Sequence, residues 1–257
     1  MAKNPEHSEQ LDPLHPRYES LVKRRRLISG FREGIVVPEG LIAHGRGEMF
    51  DYLLGEVTIP PALLSERAAA AYILDARKPM ISVNGNVAAL SASSIVELSN
   101  ATGAKIEVNL FHWSEERVSA IKAILLDHGA ESVLAEKPDA KLEGVHHDRG
   151  KCHADGIYSA DVVLVLLEDG DRAKALVEMG KTVISIDLNP LSRTSLSATV
   201  SVVDELTRAL PNITRFAREL KRDKKKIAQA IQDYDNSETL RSVFRYIHER
   251  FEKLAKD

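Results

Sequence analysis

From Pro79 to Val203 the chain alternates short β-branched apolar runs with segments of helical periodicity. That alternation restricts the fold more than any other feature. Met80–Val83, Lys105–Leu110, Ser132–Leu134, Asp161–Leu167, Thr182–Ile186 and Thr199–Val203 read as strands, and continuous Val, Ile and Leu suits strands buried on both faces. Between them VAALSASSIVELSNATG, EERVSAIKAILLDHG and AKALVEMG carry helical spacing and end at glycines, with Ser114 placed to cap the second. Parallel neighbours need crossover helices, so the pattern predicts an α/β fold with a mostly parallel sheet and helices on both faces.

The polar ends of these runs then fall on one edge. Asn84-Gly85-Asn86, the Asn109–His112 region, Glu168–Arg172 and Asp187–Arg193 all follow the carboxyl ends of strands, where open α/β sheets bind ligands. Asp187-Leu188-Asn189-Pro190 stops its strand abruptly, offering a carboxylate and an amide for a ribose or base and Arg193 for a phosphate. The alternative is a loop whose Asp and Asn satisfy only turn backbone. Asn84 and Asn86 could orient a hydroxyl and a carboxylate without adding charge, or form Asx turns. Glu168, Asp169 and Asp171 could hold Mg²⁺ or an ammonium group, or cap the next helix. Neither GxGxxG nor GxxxxGK[ST] occurs, which argues against an ordinary dinucleotide site.

Residues 15–78 read as a helical N-terminal segment after an arm at 1–14, and 207–257 as C-terminal helices around a core at 79–206. Pro16 opens and Gly34 ends the first helix, whose Lys23–Arg26 cluster is a solvated basic face or a phosphate site. In Gly40–Glu48, glycines bracket Arg46 and would let loop amides approach an anion, with His44 beside them. A short helix at Phe50–Leu54 follows, then an alanine-rich helix from Pro60 that suggests close packing, within the chain or across a subunit interface. The polar excursion Lys137–Ala160 reads as a functional loop or flap. From Asn212 the chain is helical, with Leu240, Val243, Phe244, Ile247, Phe251 and Leu254 forming one stripe and KRDKKK a solvated turn.

Bulk properties remove several classes. In 257 residues, 44% are apolar and the net charge is -3, so no overall field favours nucleic acid or an anionic membrane. A single cysteine, Cys152, excludes an internal disulfide and a cysteine-based zinc site. His146-His147 lacks helical spacing for a metal. The polar, proline-broken N-terminus and the lack of a long apolar run predict neither signal peptide nor membrane span, hence a cytoplasmic protein.

GLIAHGRGEMFDYLLGE, SVNGNVAAL, VLLEDGDRAKALVEMGK and ISIDLNPLSR, in that order, resemble the archaeal phosphopantothenate synthetase family, 4-phosphopantoate-β-alanine ligases of coenzyme A biosynthesis. The resemblance covers His15 to the C-terminus. It implies a Rossmann-like core, a homodimer, and ATP-dependent condensation of 4-phosphopantoate with β-alanine that releases AMP and diphosphate. On matching positions it implies ATP contacts at Arg24, Arg46, Asp187, Leu188, Asn189, Arg193, Thr194, Glu205 and Leu206. His112 is then a candidate to take the proton that β-alanine loses.

Such chemistry brings two anions together. Two like unit charges 4 Å apart repel by about 4 kcal/mol at an effective dielectric near 20, so Arg24, Arg46 and Arg193 with Mg²⁺ are expected to offset them. Two alternatives remain at this point: a sugar-nucleotide or nicotinamide-binding protein using the same edge, and a nucleotide-sensing regulator drawing on the basic clusters.

Overall fold

The computed structural model describes residues 11–256, so the expected arm at 1–14 lies largely outside the described residues. Helices α1 (Tyr18–Arg32), α2 (Pro38–Leu54) and α3 (Pro60–Asp75) lead into β1 (Pro79–Val83), α4 (Gly85–Thr102), β2 (Lys105–Val108), α5 (Glu115–Asp127) and β3 (Val133–Leu134). A small hairpin of β4 (Ala140–Lys141) and β5 (Lys151–Cys152) precedes β6 (Val162–Leu166), α6 (Gly170–Glu178), β7 (Thr182–Ile186), α7 (Arg193–Ser197) and β8 (Val200–Val202). The chain ends with α8 (Leu206–Leu220), α9 (Lys224–Gln232) and α10 (Asn236–Leu254).

The main sheet is parallel throughout, in the order β3-β2-β1-β6-β7-β8, with Ile81 opposite both Ile106 and Leu164. Strand order reverses between β1 and β6. In a doubly wound Rossmann-like sheet that reversal opens a crevice at the carboxyl ends of the strands. The two-residue period of the strands divides the core. Ile81, Val83, Leu164, Leu166, Ile184 and Ile186 pack beneath α1, α3, α4, α5 and α8, whereas Met80, Val163, Val165 and Val183 pack against α6 and the segment before β6.

That segment is the expected flap, and it is instead a structural layer. Leu142, Val145, Cys152 and Ile157 are buried against the second face of the sheet, where a doubly wound fold otherwise places a crossover helix. A carboxylate from the sheet organises it. Glu107 on β2 accepts hydrogen bonds from the backbone N–H of Ile157 at 2.7 Å and of His153 at 3.1 Å. Gly156 passes so close to this carboxylate that a Cβ would overlap it. The Glu107 contact also raises the His153 pKa against the effect of burial.

Three other readings change. Gly40–Glu48 is not a loop: it lies inside α2, which Pro38 opens and Gly55, at φ +91°, ends. Its amides therefore belong to the helix ladder rather than to an anion. The last helical region starts not at Asn212 but at Leu206 and runs through Pro211, because Glu205 caps it and Leu206, Ala209, Leu210 and Ile213 are buried. The alanines of α3 are buried within the chain, packed with α8 and α9, which favours the intrachain reading of that helix. On α10 only the first part of the stripe is buried: Leu240 and Val243 are covered, while Phe251 and Leu254 are exposed. KRDKKK forms the exposed turn into α9, capped by Asp223. No helix among the described residues is long and apolar enough to cross a membrane.

Replacing Glu107 leaves two backbone N–H groups beneath the excursion unpaired, at about 1–3 kcal/mol each. We predict that Glu107→Ala lowers the melting temperature by about 4–12 °C and speeds amide exchange first at 153–157; uniform exchange across the chain would contradict this.

Candidate active site

A cavity of about 660 Å³ opens at the carboxyl ends of the strands, within the range of small-molecule sites. Every expected loop contributes: Asn84–Asn86 after β1, Leu110–His112 after β2, Leu167–Gly170 after β6, Asp187–Asn189 after β7 and Asp204–Leu206 after β8. Helices α1 and α2 close the other wall with Lys23, His44 and Arg46.

At the strand reversal, Asn84 is committed to the fold. Its Nδ2 donates to the carbonyls of Leu166 at 2.9 Å and Leu167 at 3.3 Å, and its Oδ1 accepts from Val87 N at 3.1 Å as the cap of α4. The Asx-turn alternative therefore describes this side chain, which pins β1 to β6. Gly85 packs against the Ile35 carbonyl and leaves no room for a Cβ. Asn86 Nδ2 donates to the Gly40 carbonyl at 2.8 Å, fastening the start of α2 to α4.

Across the cavity, the Asp187 carboxylate accepts from Asn189 N at 2.9 Å and from the Ser192 hydroxyl at 2.6 Å. Burial raises its pKa, opposed by those two donors and by the charge of Arg46. Arg46 is exposed on α2 and lines the same cavity as Asp187. Leu188 and Asn189 line the same wall, and Arg193 projects from the start of α7. Thr194 is buried and donates to the Glu168 carbonyl at 2.9 Å, tying α7 to the end of β6. Leu206 is buried, and Glu205 accepts from Thr207 N at 2.8 Å while its carboxylate lies 3.5 Å from Lys23 Nζ.

The basic cluster of α1 divides by partner. Lys23 lines the cavity, whereas Arg24 sits outside the lining and donates to Glu48 at 2.7 Å. His44 has its pKa lowered by burial, against the pull of Glu48 and Glu205. His112 is exposed at the rim, its ring edge-on to Phe111 with centroids 5.0 Å apart.

Residues 61–250 match the family model described as phosphopantothenate/pantothenate synthetase. A protein of Methanosarcina mazei named 4-phosphopantoate--beta-alanine ligase is 54% identical over 95% of this chain and 96% of its own length. Proteins of the same name from Methanospirillum hungatei and Thermococcus onnurineus are 54% and 49% identical, over 92% and 94% of this chain and 96% and 94% of theirs. The chain belongs to the phosphopantothenate/pantothenate synthetase family.

In this family member the acidic run after β6 is largely engaged by the protein itself. Glu168 is buried between Arg149 and Arg172 and accepts a hydrogen bond from each guanidinium and from Asp169 N. Burial would raise its pKa, but the two arginines outweigh that and hold it low. Arg172 is 0% exposed and also donates to the Arg149 carbonyl at 3.1 Å and the Ser82 hydroxyl at 3.3 Å. Asp169 lies 3.0 Å from Arg149 Nε and is 42% exposed to the cavity, and Asp171 meets His147 at 2.8 Å. Among the described residues no group of three His, Cys, Asp or Glu side chains is placed to hold a metal ion. Sequence reasoning named Lys23 only as part of the basic cluster, and it gave no role to Arg149, to Arg172 or to Arg117, whose Nη2 donates to the Ile35 carbonyl at 2.9 Å.

Removing Glu168 would leave buried Arg172 without a carboxylate and Arg149 with Asp169 alone. Glu168→Ala is expected to cost about 3–5 kcal/mol in urea unfolding, and Asp169→Ala less than about 1 kcal/mol. Equal, small losses would show that Glu168 is free for ligand.

Proposed function

We propose that the cleft joins 4-phosphopantoate to β-alanine through a phosphopantoyl adenylate. A carboxylate oxygen of the acid attacks the α-phosphorus of ATP and diphosphate leaves; the amine of β-alanine then attacks the acyl carbon and AMP leaves. The observation that carries this reading is one cavity in which Arg46 on α2 faces the Asp187–Asn189 loop, within a chain of this family.

Asp187 keeps lone pairs for ribose hydroxyls because Ser192 and Asn189 fix its orientation, and Leu188 offers an apolar surface to adenine. Arg46 and Arg193 supply positive charge where it builds on the phosphates, with Lys23 close by. Arg24 acts at one remove, holding Glu48 against α1. Glu205 and Leu206 contribute backbone at the cavity wall. Asn86 is the amide best placed to orient the acid, since Asn84 is bound into the sheet. His112, exposed at the rim, is the candidate to receive the amine proton. Asp169 is the carboxylate that fits Mg²⁺ carried on the triphosphate, where the ion would neutralise oxygens around the α-phosphorus. Holding the carboxylate in line with phosphorus accounts for much of the acceleration. The reading extends to a homodimer, supported by the exposed Phe251 and Leu254 on α10.

Omitting each component in turn tests the route. AMP formed only with ATP, Mg²⁺, 4-phosphopantoate and β-alanine all present is the expected result; ADP would replace the adenylate with an acyl phosphate. Arg46→Ala should lower kcat/KM for ATP about 10- to 100-fold, the loss of one or two charge-assisted hydrogen bonds, with unchanged unfolding. Full activity in that variant removes Arg46 from the site.

A further inference from the structure

Glu66 is a buried acid that the proposed chemistry does not use. It lies on α3, is 0% exposed, and neither carboxyl oxygen makes a hydrogen bond of normal geometry. The groups facing it are Asp204 just past β8, and Asn212 and Arg215 on α8. Burial first, then Asp204, push the Glu66 carboxyl up to about 9, against a smaller opposing pull from Asn212 and Arg215.

Asp204 is already engaged. Its Oδ1 accepts from Arg208 Nε at 3.0 Å and Nη2 at 2.7 Å, and its Oδ2 accepts from the Thr58 hydroxyl at 2.6 Å. Arg208 continues to Asp51 near the end of α2, donating through Nη1 at 3.1 Å and Nη2 at 2.6 Å. One guanidinium therefore answers two buried carboxylates, and a third negative charge on Glu66 would have no cation in contact. A proton on Glu66 removes that charge and provides a donor to Asp204.

This arrangement matters because α2 is a weak helix. Gly40, Gly45 and Gly47 each cost it about 1 kcal/mol relative to alanine. Asn86 holds its start and Arg208 its end. We infer that Glu66 is a positioning residue: its carboxyl proton, donated to Asp204, completes the Asp204–Arg208–Asp51 strap that keeps α2, and with it Arg46 and His44, facing the Asp187 loop. The inference rests on the nucleotide reading of Arg46.

The sign of the pH dependence follows from linkage. The folded-state pKa of Glu66 is raised from 4.5 to about 9, so its stabilising proton is fully present below about 4.5 and lost as pH rises through about 9. The test compares the full chain with Glu66→Gln, whose amide donates without titrating, and Glu66→Ala, which has no donor. Between about pH 6 and pH 10 the melting temperature of Glu66→Gln should gain steadily on the unaltered chain, and its Kd for ATP should stay flat where that of the unaltered chain weakens about tenfold. Glu66→Ala should raise KM for ATP about tenfold at every pH, with a smaller change in kcat. A melting difference between Glu66→Gln and the unaltered chain that is constant with pH overturns the shared proton. ATP binding indifferent to Glu66→Ala overturns the strap alone. Absence of ATP binding by the unaltered chain at every pH overturns the nucleotide reading, and this role for the strap with it.

Discussion

The contact between Glu168 and its two arginines holds together the parts from which the cleft is made. Arg172 comes from α6 and reaches under the sheet to Ser82 on β1, while Arg149 comes from the layer that replaces a crossover helix. Their common carboxylate stands just past the carboxyl end of β6, at the reversal of strand order. Burying three charges carries a desolvation cost that mutual attraction offsets only with good geometry and further hydrogen bonds. Those bonds are present, from Asp169 N and to the Arg149 carbonyl and Ser82. The consequence is positional: the floor of the cavity cannot shift without uncovering a guanidinium.

Above this fixed floor the opposite wall is lightly held. α2 carries Arg46 yet contains three glycines, and its outer residues Ile42 and Met49 are exposed. Three polar clamps, Asn86 on the Gly40 carbonyl, Ser20 and Arg24 on Glu48, and Arg208 on Asp51, substitute for a buried apolar stripe. A fixed Asp187 loop facing a clamped helix that carries Arg46 would suit the proposed reaction, in which two anions must approach. The fold supplies the loop's placement, and side-chain contacts supply that of the helix.

Much of this was legible in the sequence. The strands showed because Val, Ile and Leu run continuously where both faces are covered, and β7 falls on Thr182–Ile186 as its composition required. Convergence of the loops followed from parallel topology alone. What failed was local and has local causes. Glycines flanking Arg46 suggested a loop, but Pro38 and Gly55 are the true helix punctuation, and Gly40 is small because Asn86 lies against it. Lys23 could not be separated from Arg24 by spacing, since each lies three or four residues from Ser20 and Leu27; only their partners, Glu205 and Glu48, distinguish them. Arg149 and Arg172 carried no signal, because their partner Glu168 is defined only once β6 and the excursion meet. Asn84, read as an orienting amide or an Asx turn, joins β1 to β6 while lining the cavity: an amide at a strand reversal is as useful for joining strands as for meeting a ligand.

A crystal structure with ATP and 4-phosphopantoate bound would examine the cleft most directly. Adenine should lie against Leu188, with the substrate carboxylate oxygen within about 3.5 Å of the α-phosphorus and Arg46 on the phosphates. Nucleotide found at the amino ends of the strands, or away from Asp187, would contradict the idea that these loops force two anions to react.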